Sequence, residues 1–167
     1  MARGADGNIT TTVFMEFSVA GSSMNIFQEL SAVLTPEQVA IDPASLETYG
    51  QDWTRFTPPA PTAIVFPQDT ADVVAVVECA RRYQFALVPS GGRTGLSGGA
   101  CAANGEVVVS MDKMNAVSPV NLTDRTVTVG AGAITQNVQQ IARDVGLFYP
   151  VDFASSGSSQ ILSLIHI

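Results

Sequence analysis

The stretch from Phe85 to Ser110 constrains this chain more than any other. A short apolar run ends at Pro89 and a second begins at Val107. Between them Gly91, Gly92, Gly95, Gly98 and Gly99 put five glycines in nine positions. Glycine loses more backbone entropy on folding than any other residue, so this density needs a cause. Positive φ angles are one cause; the other is a backbone that something approaches too closely for a Cβ. Successive peptide N–H groups turned inward make a concave anion site. Ser90, Thr94 and Ser97 add hydroxyl donors to it, and Arg93 adds a charge. The guest expected is a phosphate or pyrophosphate.

Context separates the familiar phosphate loops. A Walker loop ends in Gly-Lys-Ser/Thr, a triplet this sequence lacks. A Rossmann loop opens a helix, whereas Val107-Val108-Val109 signals a strand. Two readings remain: a strand–glycine loop–strand cradle, or a glycine-rich surface hairpin that binds nothing.

The flanking elements favour a β-α-β unit. Residues 62–66 read as a strand, and Asp69 caps a helix running to Tyr83 with Asp72 in its first turn. Val73, Val77 and Ala80, widened by Val74 and Val76, make its apolar stripe. Phe85 to Val88 returns as a strand, so the glycine loop lies at its carboxyl end, where ligand crevices form in parallel sheets. Upstream, Phe27, Leu30 and Leu34 share a helical face. Thr35-Pro36-Glu37-Gln38 is a helix-start signal, and Asp42-Pro43 begins a short helix to Tyr49. Trp53, read as a packing residue, precedes an extended connector at Pro58-Pro59-Ala60-Pro61. Downstream, Asp112-Lys113-Met114-Asn115 makes a turn. Val117–Val120 and Thr126–Val129 read as a hairpin, and Ile134, Val138, Ile141, Ala142 and Val145 as a helical stripe stopped by Gly146.

With 167 residues, 46% of them hydrophobic and 14% charged, the chain can build one packed domain. A net charge of −7 argues against nucleic acid or an acidic membrane surface as partner. No apolar run reaches the roughly 18 residues of a membrane span. Cys79 and Cys101 have no metal-ligand spacing and read as buried, reduced thiols, and no metal site is expected.

Val88-Pro89-Ser90-Gly91-Gly92-Arg93-Thr94-Gly95-Leu96-Ser97-Gly98-Gly99-Ala100 resembles the pyrophosphate loop of FAD-linked oxidases with a p-cresol methylhydroxylase-type domain. Within them it is most similar to the glycolate oxidase, D-lactate dehydrogenase and D-2-hydroxyglutarate dehydrogenase branch. Residues 62–67 and 69–74, the Val107 to Met114 segment, and Phe148-Tyr149-Pro150-Val151-Asp152 with the serines beyond carry the same resemblance, which runs from Leu46 to Ile161. It implies an α+β fold, the N-terminal part of that FAD-binding domain, with a mixed sheet and flanking helices. Residues 24–61 are then a helical lead-in and residues 62–161 an incomplete FAD-binding domain.

The resemblance also implies a flavoprotein oxidoreductase that oxidises a small 2-hydroxy acid by hydride transfer to the flavin. The cofactor-binding residues it implies are Pro89, Ser90, Gly91, Gly92, Arg93, Thr94, Gly95, Leu96 and Ser97, with Pro150, Asp152, Ser155, Ser158 and Ser159 nearer the flavin ring. Some relatives attach FAD through the histidine of a Ser-Gly-Gly-His loop. Arg93 stands there in this chain, so non-covalent FAD is expected. Substrate and metal residues belong to a later domain, so no catalytic residue is assigned. A cytoplasmic location is expected, peripheral at the inner membrane through partners, with an electron acceptor, partner flavoprotein or iron–sulfur subunit. The pattern departs from the family at both ends: residues 1–23 read as a disordered or spurious extension before Met24. Residues 162–167, with the single histidine His166, read as a foreign tail on a truncated, inactive fragment. The alternative is a non-catalytic FAD-binding or assembly subunit that completes its site with a partner chain.

Overall fold

The computed structural model describes residues 25–164. Four strands form one mixed sheet: β1 (Val39–Ala40), β2 (Ala63–Val65), β3 (Leu87–Ser90) and β4 (Val107–Ser110), in the order β1-β2-β4-β3. β1 runs antiparallel to β2, and β4 pairs in parallel with β2 on one side and β3 on the other. Every residue of β4 is buried, as a continuous valine run requires in a strand covered on both faces. β3 is an edge strand, which is where a proline such as Pro89 can sit without removing a ladder bond. Alternation then divides the core. Val65, Val107 and Val109 face Leu30, Leu34, Val76 and Cys79. Ile64 and Val108 join Ala102 on the other face, against Leu46, Tyr49 and Phe66.

Four helices flank the sheet: α1 (Ile26–Ser31), α2 (Pro43–Tyr49), α3 (Thr70–Tyr83) and α4 (Thr135–Asp144). Asp69 caps α3 as expected, accepting the Asp72 amide at 3.0 Å. Asp72 in turn accepts from Gln38 Nε2 at 2.6 Å and from the Gln68 amide at 2.9 Å. The start of α3 is thereby tied to the chain ahead of β1. Because β4 lies between β2 and β3, the glycine loop joins two parallel neighbours. The loop is therefore not a hairpin, since a hairpin joins antiparallel strands.

Several expectations are corrected. The Thr35 start signal yields only a single 3₁₀ turn, Pro36–Gln38, because Val39 and Ala40 gain more by pairing with β2. The hairpin of residues 117–129 is reduced to isolated bridges at Val117–Val129 and Asn121–Thr126. Pro119 supplies no donor there, and most of the segment is exposed. Trp53 does not pack into the core: it is 61% exposed, with the Arg55 guanidinium 4.6 Å over its ring. Cys101 is only half-buried. Residues 1–24 and 165–167, His166 included, lie outside the described residues. Leu162, at the start of the stretch read as foreign, packs against the larger core cluster, and its amide donates to the Ala131 carbonyl at 2.7 Å.

Candidate functional site

Of the five loop glycines only Gly98 has a positive φ, at 74°. Left-handed backbone therefore does not account for the glycine density, and close approach must. A Cβ on Gly92 would overlap the Ser158 carbonyl oxygen and stand 2.9 Å from its carbon. A Cβ on Gly91 would lie 3.3 Å from Ser163 Oγ. These two are explained by the chain's own packing. Gly95 and Gly99 are not: the first would meet only Asp52 Oδ2 at 3.7 Å, the second nothing within 4 Å. Among the described residues, no backbone bond outside the strands is donated by the amides from Gly91 to Ser97. A run of amides with no chain partner is the donor set that an anion needs.

Beside the loop lies a cavity of about 540 Å³, within the usual size of a small-molecule site. Four segments enclose it: Gly92 and Arg93 of the loop, Asp112 and Asn115 after β4, Gly132 to Ile134 with Asn137 at the start of α4, and Ser158 with Gln160. The amino end of α4 contributes the positive end of its dipole. Three of the four buried side-chain polar atoms that have no partner among the described residues surround the loop. These are Ser90 Oγ, Asp52 Oδ2 and Gln160 Oε1. Buried polar atoms normally find partners, so their concentration here marks the site.

Among the residues expected from sequence, Gly92, Arg93 and Ser158 meet at the cavity. Ser90 and Gly91 are buried behind it, and Pro89 is exposed on the edge strand. Thr94 is half-buried and Gly95 exposed; Leu96 and Ser97, also exposed, line a smaller hollow with Thr54 and Cys101. Pro150 and Asp152 are exposed and outside the cavity lining. The Ser155 carbonyl accepts from the Ser158 and Ser159 amides, and the buried Ser159 presents its carbonyl to the Thr135 amide at 3.0 Å and Thr135 Oγ1 at 3.2 Å. Asp112, Asn115, Asn137 and Gln160 were missed as site residues; the Asp112 to Asn115 turn was the available signal.

Asp52 underlies the far side of the loop. It is 3% exposed, and its Oδ1 accepts from the Thr54 amide at 2.9 Å, the Thr54 hydroxyl and the Cys101 thiol at 3.3 Å. The adjacent Trp53 amide donates to the Gly95 carbonyl at 3.1 Å. Burial pushes the Asp52 carboxyl up, but the bonds from Thr54, Cys101 and the Gly98 amide outweigh it and hold the group below its ordinary 3.8. A carboxyl depressed on folding adds stability above its unfolded value, and that stability is lost as pH falls through the folded value. Asp52→Asn should therefore cost about 1–3 kcal/mol near neutrality. It should also lose less further stability than the parent on acidification below 3.8. Urea unfolding on both sides of that pH checks this, and parallel acid losses in the two proteins would contradict it.

The sequence profile of the FAD binding domain family matches residues 61–166. The D-2-hydroxyglutarate dehydrogenase of Stutzerimonas stutzeri (strain A1501) is 54% identical over 136 residues, covering 81% of this chain and 29% of that protein. The chain thus spans less than a third of the length of this relative. Among solved structures, alkyldihydroxyacetonephosphate synthase superposes with a TM-score of 0.73 at 23% identity, over 81% of this chain and 30% of the other. p-Cresol methylhydroxylase with substrate bound superposes at 0.64 and 18% identity, over 80% and 26%. The sheet with its flanking helices is therefore the p-cresol methylhydroxylase-type fold.

Proposed function

The chain belongs to the FAD binding domain family, and on that premise we propose that it forms the pyrophosphate-binding part of an FAD-dependent 2-hydroxy-acid dehydrogenase. The observation that carries the reading is the 54% identity to a D-2-hydroxyglutarate dehydrogenase over a segment that includes the whole glycine loop. The residues at the cavity suit the cofactor. Unpartnered amides of the loop match phosphate oxygens, and each such charge-assisted bond contributes about 1.5–3 kcal/mol. The orphaned Gln160 Oε1 is an acceptor suited to a hydroxyl or ring N–H of the dinucleotide.

We assign the loop's backbone amides from Gly91 to Ser97, with the Ser90, Thr94 and Ser97 side chains, to the pyrophosphate-binding loop, with Pro89 setting its exit from β3 and the Arg93 side chain turned back onto the chain. Ser158 lies nearest the cavity among the later set, with Pro150, Asp152, Ser155 and Ser159 supporting that segment. When bound, FAD supplies the hydride acceptor for oxidation of the substrate's α-carbon. This chain's part is to hold and orient it. With arginine at position 93, attachment through that side chain is not available, so FAD is held non-covalently. Residues 62–161 form an incomplete FAD-binding unit and 24–61 its lead-in. The substrate is a small 2-hydroxy acid, electrons pass to a partner acceptor or redox subunit, and the setting is cytoplasmic. No helix among the described residues is long and apolar enough to cross a membrane.

The 167-residue chain, an incomplete FAD-binding unit, should bind FAD weakly or not at all, and micromolar or tighter binding by flavin fluorescence quenching would favour a subunit that completes its site with a partner chain. The full-length gene product should bind one FAD per chain, and quenching that never saturates there would defeat the cofactor reading. In the full-length gene product, D-2-hydroxyglutarate added without oxygen should bleach the flavin's visible absorbance. Flavin that stays oxidised with D-2-hydroxyglutarate, D-lactate and glycolate alike would defeat the substrate reading.

A further inference from the structure

One feature of the cavity opposes an anionic guest: the Asp112 carboxylate. It is not alone there. Arg93 Nη1 stands 3.6 Å from Asp112 Oδ1, with the two side chains 23% and 25% exposed. Gln160 Nε2 donates to the same Asp112 oxygen at 2.7 Å. The Arg93 guanidinium also lies 4.4 Å over the Tyr49 ring, and its Nη1 donates to the Gly91 carbonyl at 3.1 Å. Arg93 is thus turned onto its own loop, an aromatic face and a carboxylate. Its backbone is left-handed, with φ at 55°, a conformation that a non-glycine residue holds only when its surroundings impose it.

We propose that Arg93 is the counter-ion of Asp112, a positioning residue that masks this carboxylate from the dinucleotide's phosphates and braces the glycine loop, and not itself a phosphate ligand. This rests on the FAD reading above. A direct ligand would present its fork to the guest, whereas here Nη1 is turned to the Gly91 carbonyl and Asp112, with the guanidinium over the Tyr49 ring. An unmasked carboxylate beside the pyrophosphate would repel it through a medium far less screening than water.

The test compares FAD affinity of the full-length gene product with that of its Arg93→Ala variant and of Arg93→Ala combined with Asp112→Asn, by flavin fluorescence quenching. Arg93→Ala should weaken binding at least tenfold, and the double substitution should return it to within about threefold of the parent. A direct phosphate ligand predicts only partial recovery, with the double variant still weaker than the parent by well over threefold, and a purely structural brace predicts none; either result overturns the inference alone. A full-length parent that takes up no FAD overturns the cofactor reading and this inference together. If Arg93→Ala does not fold, Arg93→Gln keeps the stem and removes the charge, and the same comparison applies. A second readout needs no flavin. Burial pushes the Tyr49 phenol up, Asp112 adds to this and Arg93 opposes it. Tyrosinate formation at Tyr49 should therefore move to higher pH in Arg93→Ala and back down in the double variant; no movement in either would show that the two charges do not act there.

Discussion

Gly92→Ala should be the most destabilising single substitution in the loop. The added methyl would overlap the Ser158 carbonyl oxygen and stand 3.0 Å from Ser159 Cα, both backbone atoms with no rotamer to change. Overpacking of this kind costs about 1–3 kcal/mol, occasionally more. Relief requires segment 158–160 to shift, and that segment is fixed by the two Thr135 bonds to the Ser159 carbonyl and by Gln160 on Asp112. Losing bonds of this kind adds about 1 kcal/mol each. The expected loss is thus about 3–5 kcal/mol, a large part of a small domain's stability. Urea unfolding should show a lower midpoint at an unchanged slope. A loss below about 1 kcal/mol would mean that segment 158–160 yields freely and does not close the cavity.

What was legible in the sequence, and what was not, follows from how far apart the interacting residues lie. β2, α3 and β3 were legible because each is specified locally, by the Asp69 cap and short apolar runs. The buried face of α3 was less so. Val73, Val74, Val76 and Val77 surround the helix with apolar groups and blur the 3.6 period. The structure buries Val76, Cys79 and Ala80 and leaves Val74 and Val77 half exposed. The exchange of neighbours that places β4 between β2 and β3 has no local signature. The glycine loop was recognised, but the expected positive φ angles occur at Gly98 alone, and at Arg93, where no motif suggested it. The cavity's other walls were the least legible. Gln160 reaches Asp112 across 48 residues and Tyr49 meets Arg93 through space, so neither spacing nor periodicity could join them.

Gly95→Val separates binding from folding in a way that Gly92→Ala cannot. Gly95 lacks a positive φ, is exposed, and would bring its Cβ no closer to the chain than 3.7 Å, at Asp52 Oδ2. Surface changes of this kind stay within about 0.5 kcal/mol, so the variant should unfold at nearly the parent's urea concentration. If the loop wraps a pyrophosphate, however, the branched side chain takes the place of the phosphate oxygens and separates them from the amides on either side. Losing two charge-assisted bonds removes about 3–6 kcal/mol, more than a hundredfold in affinity. A parent that binds FAD, beside a Gly95→Val variant that folds and does not, would identify ligand approach as the reason for a glycine that the chain's own packing leaves unexplained. A variant that folds and binds FAD as the parent does would show that the cofactor does not approach the loop at this point, and the cradle would have to be withdrawn.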